Sequence, residues 1–197
     1  MILYFVDVET TGLSPQQHTI LEFCAIKHVN RVETERLYMK IHPTEEDLFR
    51  ANGYALKVNG YDPEAWKDAL EPSEAAKKIS KFLYGTSETA LVAHNVSFDA
   101  RMIRAFLRRW NTDQNLPYRT IDTVSLAFAH LKPLGLKSMK LDNIRLFLGW
   151  PLEGAHTATK DVEDCVKLFD LLVPKHTESQ TVIVNQITVN NTKSKGI

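Results

Sequence analysis

Apolar positions recur along this chain with two spacings, and the switch between them maps its elements. Ile2-Leu-Tyr-Phe-Val-Asp-Val is short, apolar and rich in β-branched and aromatic residues. That pattern predicts a buried central strand, ending at Thr10-Thr-Gly. Ile20 to Val29 and Val32 to Ile41 predict two further strands, with Asn30-Arg31 as the candidate hairpin turn. An acidic, helical stretch follows, broken near Asn59-Gly60 and at Pro63. Ser73 is the expected N-cap of a helix to Tyr84, with Gly85 in the stop position. A short strand, Ala90 to Ala93, precedes a helix from Phe98 to Trp110, and Thr120-Ile-Asp runs into a helix ending about His130. Ser138 is the expected cap of another helix, which Gly149 ends and Pro151 keeps from resuming. From about Ala158 to Val173, apolar Val162, Cys165, Val166, Phe169 and Leu172 follow the i, i+3, i+4 rule of an amphipathic helix. Strands first, then strand and helix in alternation, predict an α/β domain built on a mixed sheet.

Composition sharpens the outline. The pattern fades after Pro174, where Thr, Asn, Ser and Gln supply eleven of the last 24 residues, so 1–173 reads as the folded domain and 174–197 as a polar tail or linker. Within the tail, Thr181 to Asn190 keeps enough valine and isoleucine to form a strand if something pairs with it. At 197 residues the chain can bury a full core without disulfides or a structural metal. Lys+Arg and Asp+Glu both number 24, which excludes a protein that coats nucleic acid through bulk positive charge. No apolar run approaches the length of a membrane span, and no basic region heads the chain as in a secretory signal. Cys24 and Cys165 lack metal-ligand spacing, so a reduced, cytoplasmic protein is expected. The charge is nevertheless uneven. Glu33 to Glu74 carries ten acids against five bases; Asp99 to Trp110 and His130 to Arg145 each carry four bases against one acid. Solvated helix faces explain such runs unless they flank a site.

The acids supply the candidate site. Asp7 and Glu9 are two apart at a strand end, so both project to one face while Val6 and Val8 point to the other. Paired carboxylates at the end of a buried strand are costly unless a cation or a proton compensates, and oxygen-only donors suit Mg²⁺ or Mn²⁺. A strand end emerging into solvent explains the pair equally well. Asp99 closes His94-Asn-Val-Ser-Phe-Asp, and Asp161 lies in the first turn of the last helix; each also fits as an acid favoured by the helix macrodipole. His156 sits five residues before Asp161 on Glu153-Gly-Ala-His, where a loop histidine can swing over a site as a general base.

Asp7-Val-Glu-Thr-Thr-Gly, His94-Asn-Val-Ser-Phe-Asp99 and His156-Thr-Ala-Thr-Lys-Asp161 together resemble the three ordered motifs of the DEDD superfamily of 3′–5′ exonucleases. The histidine five places before the last aspartate resembles the DEDDh branch, which includes the epsilon proofreading subunit of bacterial DNA polymerase III, ribonuclease T and oligoribonuclease. The likeness covers about Ile2 to Val173. It implies a ribonuclease H-like fold with a mixed five-stranded sheet flanked by helices. It implies two divalent metals, Mg²⁺ or Mn²⁺, held by Asp7, Glu9, Asp99 and Asp161, with His156 as general base. The activity implied is release of 5′-mononucleotides from single-stranded 3′ ends.

Substrate contacts carry over to Thr10, Thr11, Gly12 and Leu13, where an apolar residue wedges between the last bases in relatives. Leu13 fits equally well as a loop-anchoring core contact. Asn95 either lines the groove or caps the helix after it, and Phe98 fits core better than a base-stacking platform. The Arg101, Arg104, Arg108, Arg109 helix and the Lys132, Lys137, Lys140 segment are candidates for gripping the strand. Resemblance of the first motif to the proofreading subunit favours single-stranded DNA, with a polymerase or other protein partner reached through the tail. An RNA-directed enzyme of the ribonuclease T or oligoribonuclease type is the alternative, and a non-catalytic nucleic-acid-binding module the second. An aspartyl-phosphate phosphatase fits poorly, because the second acid is glutamate and the later Gly-Asp-x-x-x-Asp motif is missing.

Overall fold

In the computed structural model, residues 1–112 and 115–173 are described; the tail expectation therefore lies outside the described residues. Among the described residues, five strands form one mixed sheet: β1 (Ile2–Thr10), β2 (Ile20–Val29), β3 (Val32–Lys40), β4 (Thr89–Ala93) and β5 (Arg119–Asp122), in spatial order β3-β2-β1-β4-β5. β1 pairs antiparallel with β2 and parallel with β4, so the central strand is where the sheet changes sense. The β2–β3 hairpin turns on Asn30 and Arg31, both at positive φ (51° and 66°), as a two-residue loop matching the strand twist requires. The expected mixed five-stranded α/β architecture is the observed one.

The helices are α1 (Glu45–Arg50), α2 (Gly53–Val58), α3 (Pro72–Phe82), α4 (Val96–Arg109), α5 (Thr123–His130), α6 (Leu141–Leu148) and α7 (Ala158–Leu172). Two expected caps are corrected. Ser73 lies inside the first turn of α3, because Pro72 takes the N1 position its fixed φ suits and Glu71 precedes it. Ser138 is two residues short of α6; Lys140 occupies the cap position, and Ser138 Oγ accepts from the Lys140 N–H at 3.3 Å. Gly149 does end α6, at φ 70°, and Thr157 caps α7 by accepting from the Lys160 N–H.

Strand alternation sorts the core into two layers. Tyr4, Val6 and Val8 face α3 and α4 together with Phe23, Ala25, Leu91 and Ala93. Leu3 and Phe5 face α7 with Cys24, Ile26, Ala90 and Val92. A third cluster joins α5, α6 and the far face of α7 through Ala127, Leu131, Ile144, Leu148, Leu168 and Leu172. Removing a large side chain such as Phe5 or Phe23 from these layers would cost ~3–5 kcal/mol. Salt bridges Arg31–Asp170 (2.6 Å) and Arg36–Glu163 tie the β2–β3 hairpin to α7. Among the described residues, no helix is long and apolar enough to cross a membrane.

Candidate active site

The same alternation fixes where the first two acids go. Odd positions of β1 face α7, so Asp7 and Glu9 continue the line of Leu3 and Phe5 to the carboxyl end of the strand. There the first turn of α7 brings in Asp161. One carboxylate oxygen from each of Asp7, Glu9 and Asp161 lies within 4.8 Å of the others. Asp99 arrives from the opposite layer, on the first turn of α4, and is buried at 3% exposure. It stands outside the group of three yet close enough to act electrostatically on Asp7.

Electrostatics mark the site more sharply than distance does. Burial, then repulsion from Asp99, Asp161 and Glu9, lifts the Asp7 carboxyl well above the usual carboxylate range, against the pull of Arg145. Burial raises Glu9 to about 8, helped by Asp161, Glu22 and Asp99. Burial likewise raises Asp99 to about 8, although backbone hydrogen bonds at Asp99 itself and at Val8 oppose the rise. Neighbouring carboxyls whose proton affinity burial and mutual repulsion raise are a set a hard cation would discharge, and an all-oxygen donor set suits Mg²⁺ or Mn²⁺. The residues therefore fit a divalent metal.

His156 sits on the loop before α7 at φ 64°, unusual for a residue with a Cβ, with its imidazole about half exposed. Its ring and Asp161 line one open groove of ≈ 670 Å³, together with Tyr54, His94, Asn95, Lys140, Asp142 and Arg145. The His156 N–H also donates to Asp161 Oδ1 at 3.3 Å. His94 spans the groove wall, bonding Thr123 Oγ1 (3.0 Å) through Nδ1 and the Met139 carbonyl (2.7 Å) through Nε2; burial lowers its pKa.

The expected substrate contacts separate into groups. Thr10 and Thr11 are buried and spent on the loop: Thr10 Oγ1 donates to the Gly12 carbonyl (2.8 Å), and Thr11 Oγ1 accepts from the Thr19 N–H (2.9 Å). Gly12 does allow a close approach, but of His18, whose ring would meet a Cβ there at 2.5 Å. Leu13 is 80% exposed, which excludes a core-anchoring role. Asn95 occupies the cap position of α4 at φ 73°, makes no side-chain cap, and lines the groove. Phe98 is half-buried against the α3–α4 core.

The bases divide likewise. Lys140 lines the groove, whereas Lys137 lines a separate depression beside Leu146 and Phe147. Arg101 and Arg104 are not among the groove's lining residues, and Arg101 Nε donates to the Ser97 carbonyl at 3.0 Å. Arg109 pairs with buried Asp47 of α1. Arg145, counted in the second basic run, is fully buried and holds three carboxylates, so it is no surface charge.

Sequence reasoning passed over Arg145, Asp142, Asp164, Glu22 and Tyr54. A signal existed for three of them. Arg145 interrupts the apolar stripe Leu141, Ile144, Leu148, and Asp164 interrupts that of α7. Glu22 is a lone acid in an apolar strand; it pairs across from Glu9, and its Oε2 accepts from the Ala158 N–H at 3.4 Å. Tyr54 carries no such mark.

A mixed sheet in this strand order, with clustered carboxylates at the carboxyl end of its central strand, is the architecture of a ribonuclease H-like fold. Residues 4–169 match the family model described as Exonuclease, of the RNase T type. The chain belongs to the Exonuclease family and is a 3′–5′ exonuclease. It is 28% identical to the DNA polymerase III subunit epsilon of Treponema pallidum over 179 residues, covering 91% of this chain and 80% of that protein. It is 30% identical to ribonuclease T of Haemophilus ducreyi over 183 residues, covering 85% of this chain and 83% of that one. Among solved structures, E. coli exonuclease I in complex with a dT13 oligonucleotide superposes with a TM-score of 0.76 at 20% identity, over 93% of this chain. The chain spans only 42% of exonuclease I, and 12% of a PolC-type DNA polymerase III of Caldanaerobacter subterraneus with which it shares 29% identity.

Proposed function

We propose that the protein removes 5′-mononucleotides from the 3′ ends of single-stranded nucleic acid, with DNA the favoured substrate, by metal-dependent hydrolysis at the Asp7–Glu9–Asp161 cluster. The observation that carries this reading is the convergence of those three carboxylates, with Asp99 behind them, beside a groove that also contains His156. Asp7, Glu9 and Asp161 would hold one divalent cation, and Asp7 with Asp99 a second. Bound there, the cations would supply Lewis-acid stabilisation of the phosphoryl oxygens and charge relief at the leaving 3′-oxygen.

The chain's own groups do the rest. His156 takes a proton from the water that attacks phosphorus; the P–O3′ bond breaks, and the 3′-oxygen leaves to be protonated. Leu13 and Tyr54, both exposed, present apolar surface to the terminal bases, and Asn95 and Lys140 contact the strand along the groove wall. Thr10, Thr11 and Gly12 act through the backbone of the loop they fix. Arg101 and Arg104 would serve only a strand that extends beyond the groove, and Lys137 likewise. The preference for DNA is supported by the epsilon-named relative; the ribonuclease T relative supports the RNA alternative. A protein partner, engaged through the segment after Pro174, belongs to the same reading as the epsilon likeness.

The test is a digestion series with Mg²⁺ on 3′-labelled and 5′-labelled single-stranded DNA, duplex DNA and RNA, run beside Asp7→Ala. Mononucleotides should appear first from the 3′ label, fastest on single-stranded DNA, and not at all with the variant. Undiminished release by Asp7→Ala would sink the metal-dependent reading; faster loss from RNA would move the substrate to the alternative.

A further inference from the structure

Arg145 is the largest fully buried side chain among the described residues, and it is a cation. Its three donor positions each meet a different carboxylate. Nε donates to Asp164 Oδ2 (2.7 Å), Nη1 to Asp142 Oδ1 (2.8 Å) and Nη2 to Asp161 Oδ1 (2.6 Å). Asp164 is anchored in turn by Lys160 Nζ at 2.6 Å, so the first of these arms is a fixed post on α7. The second arm continues: the other oxygen of Asp142, Oδ2, stands 3.3 Å from His156 Nε2. The third arm ends on Asp161, one of the three clustered carboxylates that could hold a metal ion.

We propose that Arg145 and Asp142 are positioning residues of the active site: the guanidinium fork of Arg145 locks Asp161 for metal binding and, through Asp142, locks the imidazole of His156. Resting on the metal-dependent reading above, this assigns a cause to two features the motifs alone leave loose. Asp161 is held by one oxygen. Both of its side-chain contacts among the described residues, from Arg145 and from the His156 N–H, fall on Oδ1, which leaves Oδ2 for a cation. His156 is on a loop, half exposed, and would sample several orientations without an anchor. With Nε2–H directed at Asp142, the lone pair that receives the water's proton is on Nδ1.

A planar fork is what this geometry needs. Arginine can address three carboxylates from a fixed plane, whereas lysine offers one point charge on a flexible stem. Arg145→Lys therefore keeps the charge and removes the geometry. Asp142→Asn keeps an oxygen for Arg145 and replaces the oxygen facing His156 by an amide that cannot accept its proton.

Both variants and Asp161→Asn are made in the full chain. Mn²⁺ binding is measured without substrate by electron paramagnetic resonance, and kcat and KM on a single-stranded oligonucleotide, with Tm as a folding control. Arg145→Lys should weaken Mn²⁺ binding and lower kcat, each by about 10- to 100-fold, the range seen when groups that orient metal ligands are lost. Asp142→Asn should lower kcat by about tenfold or more, with KM and Mn²⁺ affinity within about twofold of wild type. An Asp142→Asn enzyme with wild-type kcat, or with its loss in KM instead, overturns the proposal, as does Arg145→Lys with unchanged Mn²⁺ affinity. If Arg145→Lys fails to fold, Asp142→Asn decides alone, since Asp142 is only partly buried and its replacement keeps the shape of the side chain. Asp161→Asn separates the two levels: normal Mn²⁺ binding and activity there would refute the metal site itself, while a dead Asp161→Asn beside a normal Asp142→Asn would refute only the positioning role.

Discussion

Withdrawing divalent cations should expose the electrostatic cost of the carboxylate cluster, and that cost should grow with pH. Burial and neighbouring acids raise Glu9 and Asp99 each to about 8, from ordinary values of 4.5 and 3.8. In the unfolded chain both ionise in the ordinary carboxylate range; in the folded, metal-free protein both keep their protons until the pH nears 8. A group whose folded pKa lies above its unfolded one contributes stability that is fully present below the unfolded value and is lost as pH rises through the folded value. Carrying Glu9 from 4.5 to about 8 corresponds, at ~1.4 kcal/mol per pH unit, to on the order of 5 kcal/mol. Because the carboxyls titrate as an interacting set, one such increment sets the scale, not a sum. At about 2–4 °C per kcal/mol for a chain of this size, the loss is roughly 10–20 °C in Tm. Asp7, Glu9 and Asp161 would hold a divalent cation whose charge would replace those protons and remove the cost. Thermal unfolding followed at about pH 5.5, 7 and 8.5, each in EDTA and in excess Mg²⁺, measures it. Pairing the two conditions at each pH cancels the histidines and surface groups remote from the site. The Mg²⁺-induced rise in Tm should be small at the acid end and reach roughly 10 °C or more at the alkaline end. A rise that stays flat, or shrinks as pH increases, would refute the reading of these acids as a cation site.

Three more outcomes are expected. His156→Ala should lower the exonuclease rate by about 10²- to 10⁴-fold, the usual worth of a positioned base, and leave Mn²⁺ affinity largely intact; lost affinity would make it a ligand instead. Leu13→Ala and Tyr54→Ala should leave Tm unchanged, because both side chains are exposed, and weaken single-strand binding by about 1–3 kcal/mol for each base that loses its contact; unchanged KM in both would remove them from the substrate path. Gly12→Ala places a Cβ 2.5 Å from His18 Nε2 and should cost about 1–3 kcal/mol of stability in denaturant unfolding. Adding His18→Ala should recover part of that loss, and strict additivity of the two substitutions would contradict the contact.

Much of the site is legible in the amino-acid sequence, because its chemistry is compressed into three short motifs. Period-2 alternation along Ile2 to Thr10 is enough to put Asp7 and Glu9 on one face, and the burial pattern agrees. A helix starting next to Thr157 puts Asp161 in its first turn. The strands and most helices follow from patterning, and the mixed sheet from their order. Helix caps are less legible. Ser73 and Ser138 have the right side chain, but Pro72 and the chain path into α6 decide where each helix begins.

Charge is the least legible feature, and the reason is physical. A formal charge of zero and two basic runs say nothing of which ions meet solvent. Only the packing of α6 against α7 turns Arg145 from a surface base into a buried hub for Asp142, Asp161 and Asp164, and only the α1–α4 contact spends Arg109 on Asp47. The acids, their spacing and the strand and helix they sit on are local and periodic properties of the chain, so one-dimensional patterning suffices for them, whereas the kind of chemistry is implied only by the likeness of the three motifs to an exonuclease family. Folding in three dimensions is what makes three acids meet on the α7 face while Asp99 comes from the α4 side, and what leaves Leu13 in solvent. It also selects which charges are spent inside the protein. Those outcomes depend on residues far apart along the chain being brought within a few ångströms, where burial and Coulomb energy, not spacing, set their properties.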